Sequence, residues 1–298
     1  MSRLGRNAPA LVNFLPMKRT LALAITLLLS LSAASAQDWA KQTLEKSPRH
    51  QEWVQIKHDN RTVQAFVVYP EVKQKAPVVI VIHEIFGLSD WARTVADKLA
   101  AQGYIAIAPD FLSGMGPNGG KSSDFPSVDA AREANSKLDP AQVTADLNAV
   151  ADYAKKIPAA SGKIAVAGFC WGGGQAFNFA TNRKDLSAAY SFYGPPPKDV
   201  STITAPVYGF YGGNDARIDA MIPGAVEAMK AASKTYEPVT YEGAGHGFMR
   251  SGEDPATDAA IQNTATDPDT QKKHDAAVAN KKAHDQAWER WLKLLKSL

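Results

Sequence analysis

Four side chains in this chain could together do carbonyl chemistry: Cys170, Asp215, His246 and Glu84. Cys170 is the only cysteine in 298 residues and sits in Gly168-Phe169-Cys170-Trp171-Gly172. A Gly-x-nucleophile-x-Gly turn lifts its central residue clear of a sheet, because small flanking residues let strand and helix approach closely. The positive end of the following helix favours an anionic sulfur. A thiolate there would attack a carbonyl. A histidine would take and return the proton, and a carboxylate would orient the histidine. Two backbone N–H groups, of Ile85 and Trp171, would hold the oxyanion. The competing readings are plain. A lone cysteine is often a small buried hydrophobe. Gly172-Gly173-Gly174 could be a loop or a phosphate turn, but no Gly-Lys-Ser/Thr follows it.

The partners have rivals. Asp215 ends Gly212-Gly213-Asn214-Asp215, a usual place for a triad acid, yet it could merely cap the next helix, and Asp219 lies close by. His246 is flanked by Gly245 and Gly247, as a mobile, exposed catalytic loop would be. His50, His58, His274 and His284 stand in polar surroundings and read as surface residues. His83, at a strand end, reads as a core histidine or a rival base. No histidine–carboxylate cluster has metal-ligand spacing, so neither a metal nor an organic cofactor is expected.

These residues need strands that end at each of them. Residues 76–82 form a continuous, mostly β-branched run, the pattern of a strand buried on both faces. Residues 104–110, 163–167, 186–193, 206–211 and 237–241 read as further strands. Helical spacing covers 91–101, 140–157, 175–180, 221–232 and 287–295. Residues 53–57 and 62–69 pair as a hairpin around His58-Asp59-Asn60-Arg61. Residues 111–127 are rich in Gly, Ser and Pro and read as a long loop. Residues 251–283 are polar and read as a surface excursion with some helix. Strand–helix alternation predicts a mostly parallel α/β sheet with helices on both faces and the hairpin at one edge. In such sheets the chemistry lies at the carboxyl ends of the strands. Nucleophile, acid and histidine follow one another in the α/β-hydrolase order.

The N-terminus has a different composition. Met17-Lys18-Arg19, an apolar run over 21–31 and Ala34-Ser35-Ala36 make a secretory signal peptide, with cleavage expected after Ala36. Residues 1–16 precede a complete leader and suggest a start called too early. The apolar run is short for a membrane span. Four basic residues and no acidic ones precede residue 37, so the formal charge of +3 becomes −1 in residues 37–298. The basic balance belongs to the leader and gives no reason to expect a nucleic-acid partner. A periplasmic or secreted chain with one cysteine has no internal disulfide.

The segments His83-Glu84-Ile85-Phe86-Gly87, Ala108-Pro109-Asp110, Gly168-Phe169-Cys170-Trp171-Gly172-Gly173, Tyr193-Gly194, Gly213-Asn214-Asp215 and His246-Gly247-Phe248-Met249-Arg250, in this order, resemble the dienelactone hydrolase family. The resemblance implies an α/β-hydrolase fold over 37–298 as a single domain. It implies a Cys170-Asp215-His246 triad and a hydrolase acting on ester bonds, of the carboxymethylenebutenolidase kind. It further implies that Glu84 contacts the resting, neutral thiol, and that Tyr193 and Arg250 bind substrate. The family's second substrate-binding arginine has no counterpart in Phe111-Leu112-Ser113-Gly114-Met115. The expected substrate is a small ester or lactone, with a broad carboxylesterase or thioesterase as the neighbouring reading. A non-catalytic binding protein on this fold is the reading from another class. A monomer or weak dimer is expected.

Overall fold

The structure is a computed structural model and describes residues 39–253, 261–262 and 267–298. The expected leader, and parts of the expected excursion, lie outside these residues.

Eight strands form one sheet in the order β1-β2-β4-β3-β5-β6-β7-β8. They are β1 (Gln51–His58), β2 (Arg61–Val68), β3 (Ala76–Ile82), β4 (Ile105–Asp110), β5 (Ala160–Phe169), β6 (Ala188–Phe192), β7 (Val207–Gly212) and β8 (Tyr236–Tyr241). The β1–β2 and β2–β4 pairs are antiparallel and the rest parallel. This is the α/β-hydrolase arrangement expected from the strand–helix alternation, with the hairpin at one edge.

Strand β3 explains why its sequence is apolar throughout. Side chains alternate across a sheet. Val79 and Val81 enter one hydrophobic core, and Val78, Ile80 and Ile82 enter the other. The first core is closed by α1 (39–45), α2 (Asp90–Ala101) and the C-terminal helix α8 (Pro268–Leu295). The second is closed by α4 (Pro140–Lys156), α5 (Trp171–Asn182) and α7 (Ile222–Ala231). Between α5 and α7 lies the single turn α6 (Ala216–Asp219).

Three local expectations need correction. Helix α3 (Val128–Ser136) follows the long loop and carries no apolar stripe, burying only Ala131 and Asn135, so periodicity missed it. Its signal is Ser127, whose hydroxyl accepts from Ala130 N. Helix α8 runs Pro268–Leu295, far longer than the expected 287–295, so much of the polar excursion is helix. Asp267 caps it and Pro268 opens it, a start signal readable in sequence. Finally, His284 is buried and His58 half-buried, rather than surface residues. Each faces an acid distant in sequence, Asp146 at 2.8 Å and Glu253 at 2.8 Å, which local polarity could not reveal.

Candidate active site

The adjacent strands β3, β5, β6, β7 and β8 each end in a loop carrying one or more of the candidate residues. Cys170 follows β5 with φ 56° and ψ −117°, a conformation unfavourable for a residue with a Cβ. The glycines around it are sterically required. A Cβ at Gly168 would lie 1.9 Å from the Gly172 carbonyl oxygen, and one at Gly172 would lie 2.4 Å from the His83 carbonyl oxygen. Cys170 N donates to Phe192 O at 3.0 Å, tying the turn to β6. The sulfur is partly exposed at the start of α5. Trp171 is the first residue of that helix, where a backbone N–H has no intrahelical acceptor.

The acid and the histidine come from interlaced loops. A Cβ at Gly212 would meet the Ala244 carbonyl oxygen at 2.6 Å. Asn214 N donates to Ala244 O and its side-chain amide to Gly243 O, each at 2.8 Å. The result places His246 Nδ1 2.5 Å from Asp215 Oδ2. Asp215 is buried, and it, rather than its rival Asp219, pairs with His246. The interaction with Cys170, and after it the hydrogen bond with Asp215, lift the His246 pKa to about 9 against the opposing effect of burial. From α8, the Asn280 side-chain oxygen accepts from Gly245 N at 2.7 Å and so holds the histidine loop. No local signal pointed to Asn280, which lies in the polar segment.

Glu84 is buried beside this pair. Its Oε1 accepts from Tyr193 Oη at 3.3 Å and its Oε2 from Arg250 Nη1 at 3.1 Å. Burial pushes its pKa up, opposed by the charges of Arg250 and His246. Tyr193 is on one oxygen and Arg250 on the other, and the expected contact with the resting thiol is not among these hydrogen bonds. Tyr193, expected to touch substrate, is fully buried. Its ring packs edge-on against His246 at 5.0 Å and its hydroxyl is given to Glu84, so it supports both residues from beneath. Its φ of 40° is a further strained position at this end of the sheet. Burial holds its phenol pKa well above the usual value, so it stays a donor. The Arg250 side chain is half exposed, with its guanidinium over the Phe86 ring at 5.3 Å.

Ile85 lies on the loop after β3, partly exposed. That loop is braced by the long segment after β4. Asp110 accepts from Ser122 N, Ser122 Oγ and Leu112 N, and Ser122 Oγ accepts from Leu88 N at 2.9 Å. His83 is removed as a rival base. Both of its ring nitrogens face backbone groups, and burial pushes its pKa down.

A family model, the dienelactone hydrolase family, matches residues 63–298. A protein assigned as carboxymethylenebutenolidase in Salmonella typhimurium is 35% identical over 199 residues, covering 62% of this chain and 72% of its own. One so assigned in Methylorubrum extorquens is 32% identical over 210 residues, covering 65% and 71%. A solved structure assigned as a dienelactone hydrolase from Klebsiella pneumoniae subsp. pneumoniae has a TM-score of 0.66 at 26% identity, over 84% of this chain and all but 1% of that one, 99% being covered. A dienelactone hydrolase-like promiscuous phosphotriesterase from metagenomic libraries shares the fold, with a TM-score of 0.65 at 21% identity, over 84% and 98%. The family match reaches from β2 to the C-terminus, and it takes in the strained cysteine turn and both interlaced loops: the chain belongs to the dienelactone hydrolase family of ester-hydrolysing enzymes.

Proposed function

We propose that the protein hydrolyses small esters or lactones through Cys170, His246 and Asp215, by way of an acyl-thioester. The thiolate of Cys170 adds to the carbonyl carbon, and the carbonyl electron pair moves to oxygen. The N–H groups of Ile85 and Trp171 receive that oxyanion. Collapse expels the alkoxide, which takes the proton held by His246; in a lactone it stays attached to the acyl group. His246 then removes a proton from water, the hydroxide attacks the thioester, and the Cys170 sulfur leaves. Asp215 orients the imidazole and stabilises its charged form.

One observation carries this reading. The strained, glycine-bounded Cys170 lies close enough to His246 to raise its pKa, and the Nδ1 of that histidine meets the buried Asp215. Arg250 supports a preference for substrates bearing one anionic group, because its exposed half has N–H donors to spare. Such a group would compete with Glu84 for the guanidinium. With no second arginine in 111–115, a neutral or singly charged ester fits better than a substrate needing two arginines. We read residues 37–298 as the mature single domain, exported to the periplasm or beyond on the leader.

Hydrolysis of p-nitrophenyl acetate by the purified mature chain tests the nucleophile. One equivalent of iodoacetamide on Cys170 should abolish turnover, as should Cys170→Ala. Full activity in the labelled protein would refute the assignment.

A further inference from the structure

The histidine that the catalytic reading leaves unused stands between the two proposed oxyanion donors. His83 is fully buried at the end of β3. Its Nδ1 lies 2.7 Å from the carbonyl oxygen of Glu84, and the Phe111 N–H points at its Nε2 at 3.4 Å. A carbonyl can only accept and an amide N–H can only donate. The ring is therefore the neutral tautomer with the proton on Nδ1. The carbonyl it grips belongs to the same peptide unit as the Ile85 N–H. In a trans peptide the two point in opposite directions, so fixing one fixes the aim of the other; among the described residues no peptide is cis.

The same imidazole reaches the second donor. It stacks on the Trp171 indole at 5.4 Å with planes 20° apart, and the Phe111 ring closes the group at 5.3 Å from His83 and 5.7 Å from Trp171. The His83 carbonyl lies against the α-carbon of Gly172, where a Cβ would meet it at 2.4 Å. The start of α5, which carries the Trp171 N–H, thus rests on His83 through both ring and backbone.

We infer that His83 is a positioning residue that sets the aim of the Ile85 and Trp171 N–H groups towards the oxyanion. This rests on the acyl-thioester reading above, since only a carbonyl addition creates the oxyanion. His83 touches neither substrate nor sulfur; it acts through the two peptides.

The test separates carbonyl addition from reaction at sulfur. His83→Phe keeps a ring against Trp171 and loses the Nδ1 donor. His83→Asn loses the ring but can place an amide N–H near the Nδ1 position. With p-nitrophenyl acetate, His83→Phe should lower kcat by about tenfold to a hundredfold with KM little changed, less than the ~10²–10³ that follows outright loss of an oxyanion donor. Affinity for a trifluoromethyl ketone, which the sulfur adds to reversibly to give an oxyanion, should fall by a similar factor. Iodoacetamide alkylation of Cys170 displaces iodide and forms no oxyanion, so its rate should stay within about twofold. His83→Asn should recover part of the lost kcat and ketone affinity. Two results would overturn the inference: His83→Phe matching the wild type in kcat and ketone affinity, or kcat and alkylation falling together. Should His83→Phe fail to fold, His83→Leu supports the same comparison. Failure of the nucleophile assignment would look different, as wild-type enzyme that stays active after alkylation.

Discussion

Asp146 and Glu84 are two of the buried carboxylates that meet an arginine, and they are built for different ends. Asp146, on α4, has no exposed side-chain surface. It accepts from Arg61 Nε at 2.9 Å to both oxygens, from His58 Nε2 at 2.8 Å and from the Gln142 amide at 2.9 Å. Arg61 spends its other donors on the carbonyls of Ser113 and Phe111. Glu84 has two longer bonds, at 3.1 and 3.3 Å, and its arginine is half exposed. A saturated ion pair can only hold, whereas a thinly bonded one with an open partner can exchange that partner for a ligand. A hollow of about 640 Å³ opens beside Arg61, Ser113 and Gln142, and Cys170, Asp215 and His246 are not among the residues that line it. Available space does not mark the chemistry here; strain at Cys170 and Tyr193 and the thin bonding of Glu84 do.

The comparison breaks most visibly at Asp146. Asp146→Ala leaves the Arg61 charge buried without its partner, and should cost about 3–5 kcal/mol in urea unfolding. Turnover per folded molecule should stay near that of the wild type. A cost below about 1 kcal/mol would make the two pairs alike. Glu84→Gln should show the reverse: stability within about 1 kcal/mol, and kcat/KM lower by about tenfold to a hundredfold, the value of one charge-assisted bond. Arg250→Ala should raise KM for carboxylate-bearing esters about tenfold more than for neutral esters; equal effects on both classes would make Arg250 structural. The subtlest effect is on His246. Its raised pKa of about 9 means that its charged contacts stabilise the fold fully below about pH 6.5 and cease to do so as pH rises through 9. Since Cys170 is the largest cause, Cys170→Ala should move the NMR titration of His246 down from about 9 towards 6.5. An unmoved titration would assign the shift to Asp215.

Much of this was readable in the chain because it rests on local signals. The continuous β-branched run of β3 fits a strand buried on both faces. The glycines around Cys170 announced close approach before any partner was known. The unreadable parts depend on partners far apart in sequence. Arg250 and Glu84 lie 166 residues apart, and Tyr193 and Glu84 lie 109 apart, so nothing local told that Glu84 would be bonded to these rather than to the thiol. His83 shows the same limit. Its residue type allowed a core histidine or a base, and only the directions of its two ring nitrogens decide between them.

The central claim is that Cys170 carries the acyl group. Acid quench of enzyme turning over p-nitrophenyl acetate, followed by intact-mass and peptide analysis, tests it most directly. The account predicts a burst of about one nitrophenolate per enzyme and one acetyl group, on the peptide containing Cys170, absent from Cys170→Ala. An acetyl group on another residue, or undiminished turnover by Cys170→Ala, would contradict it.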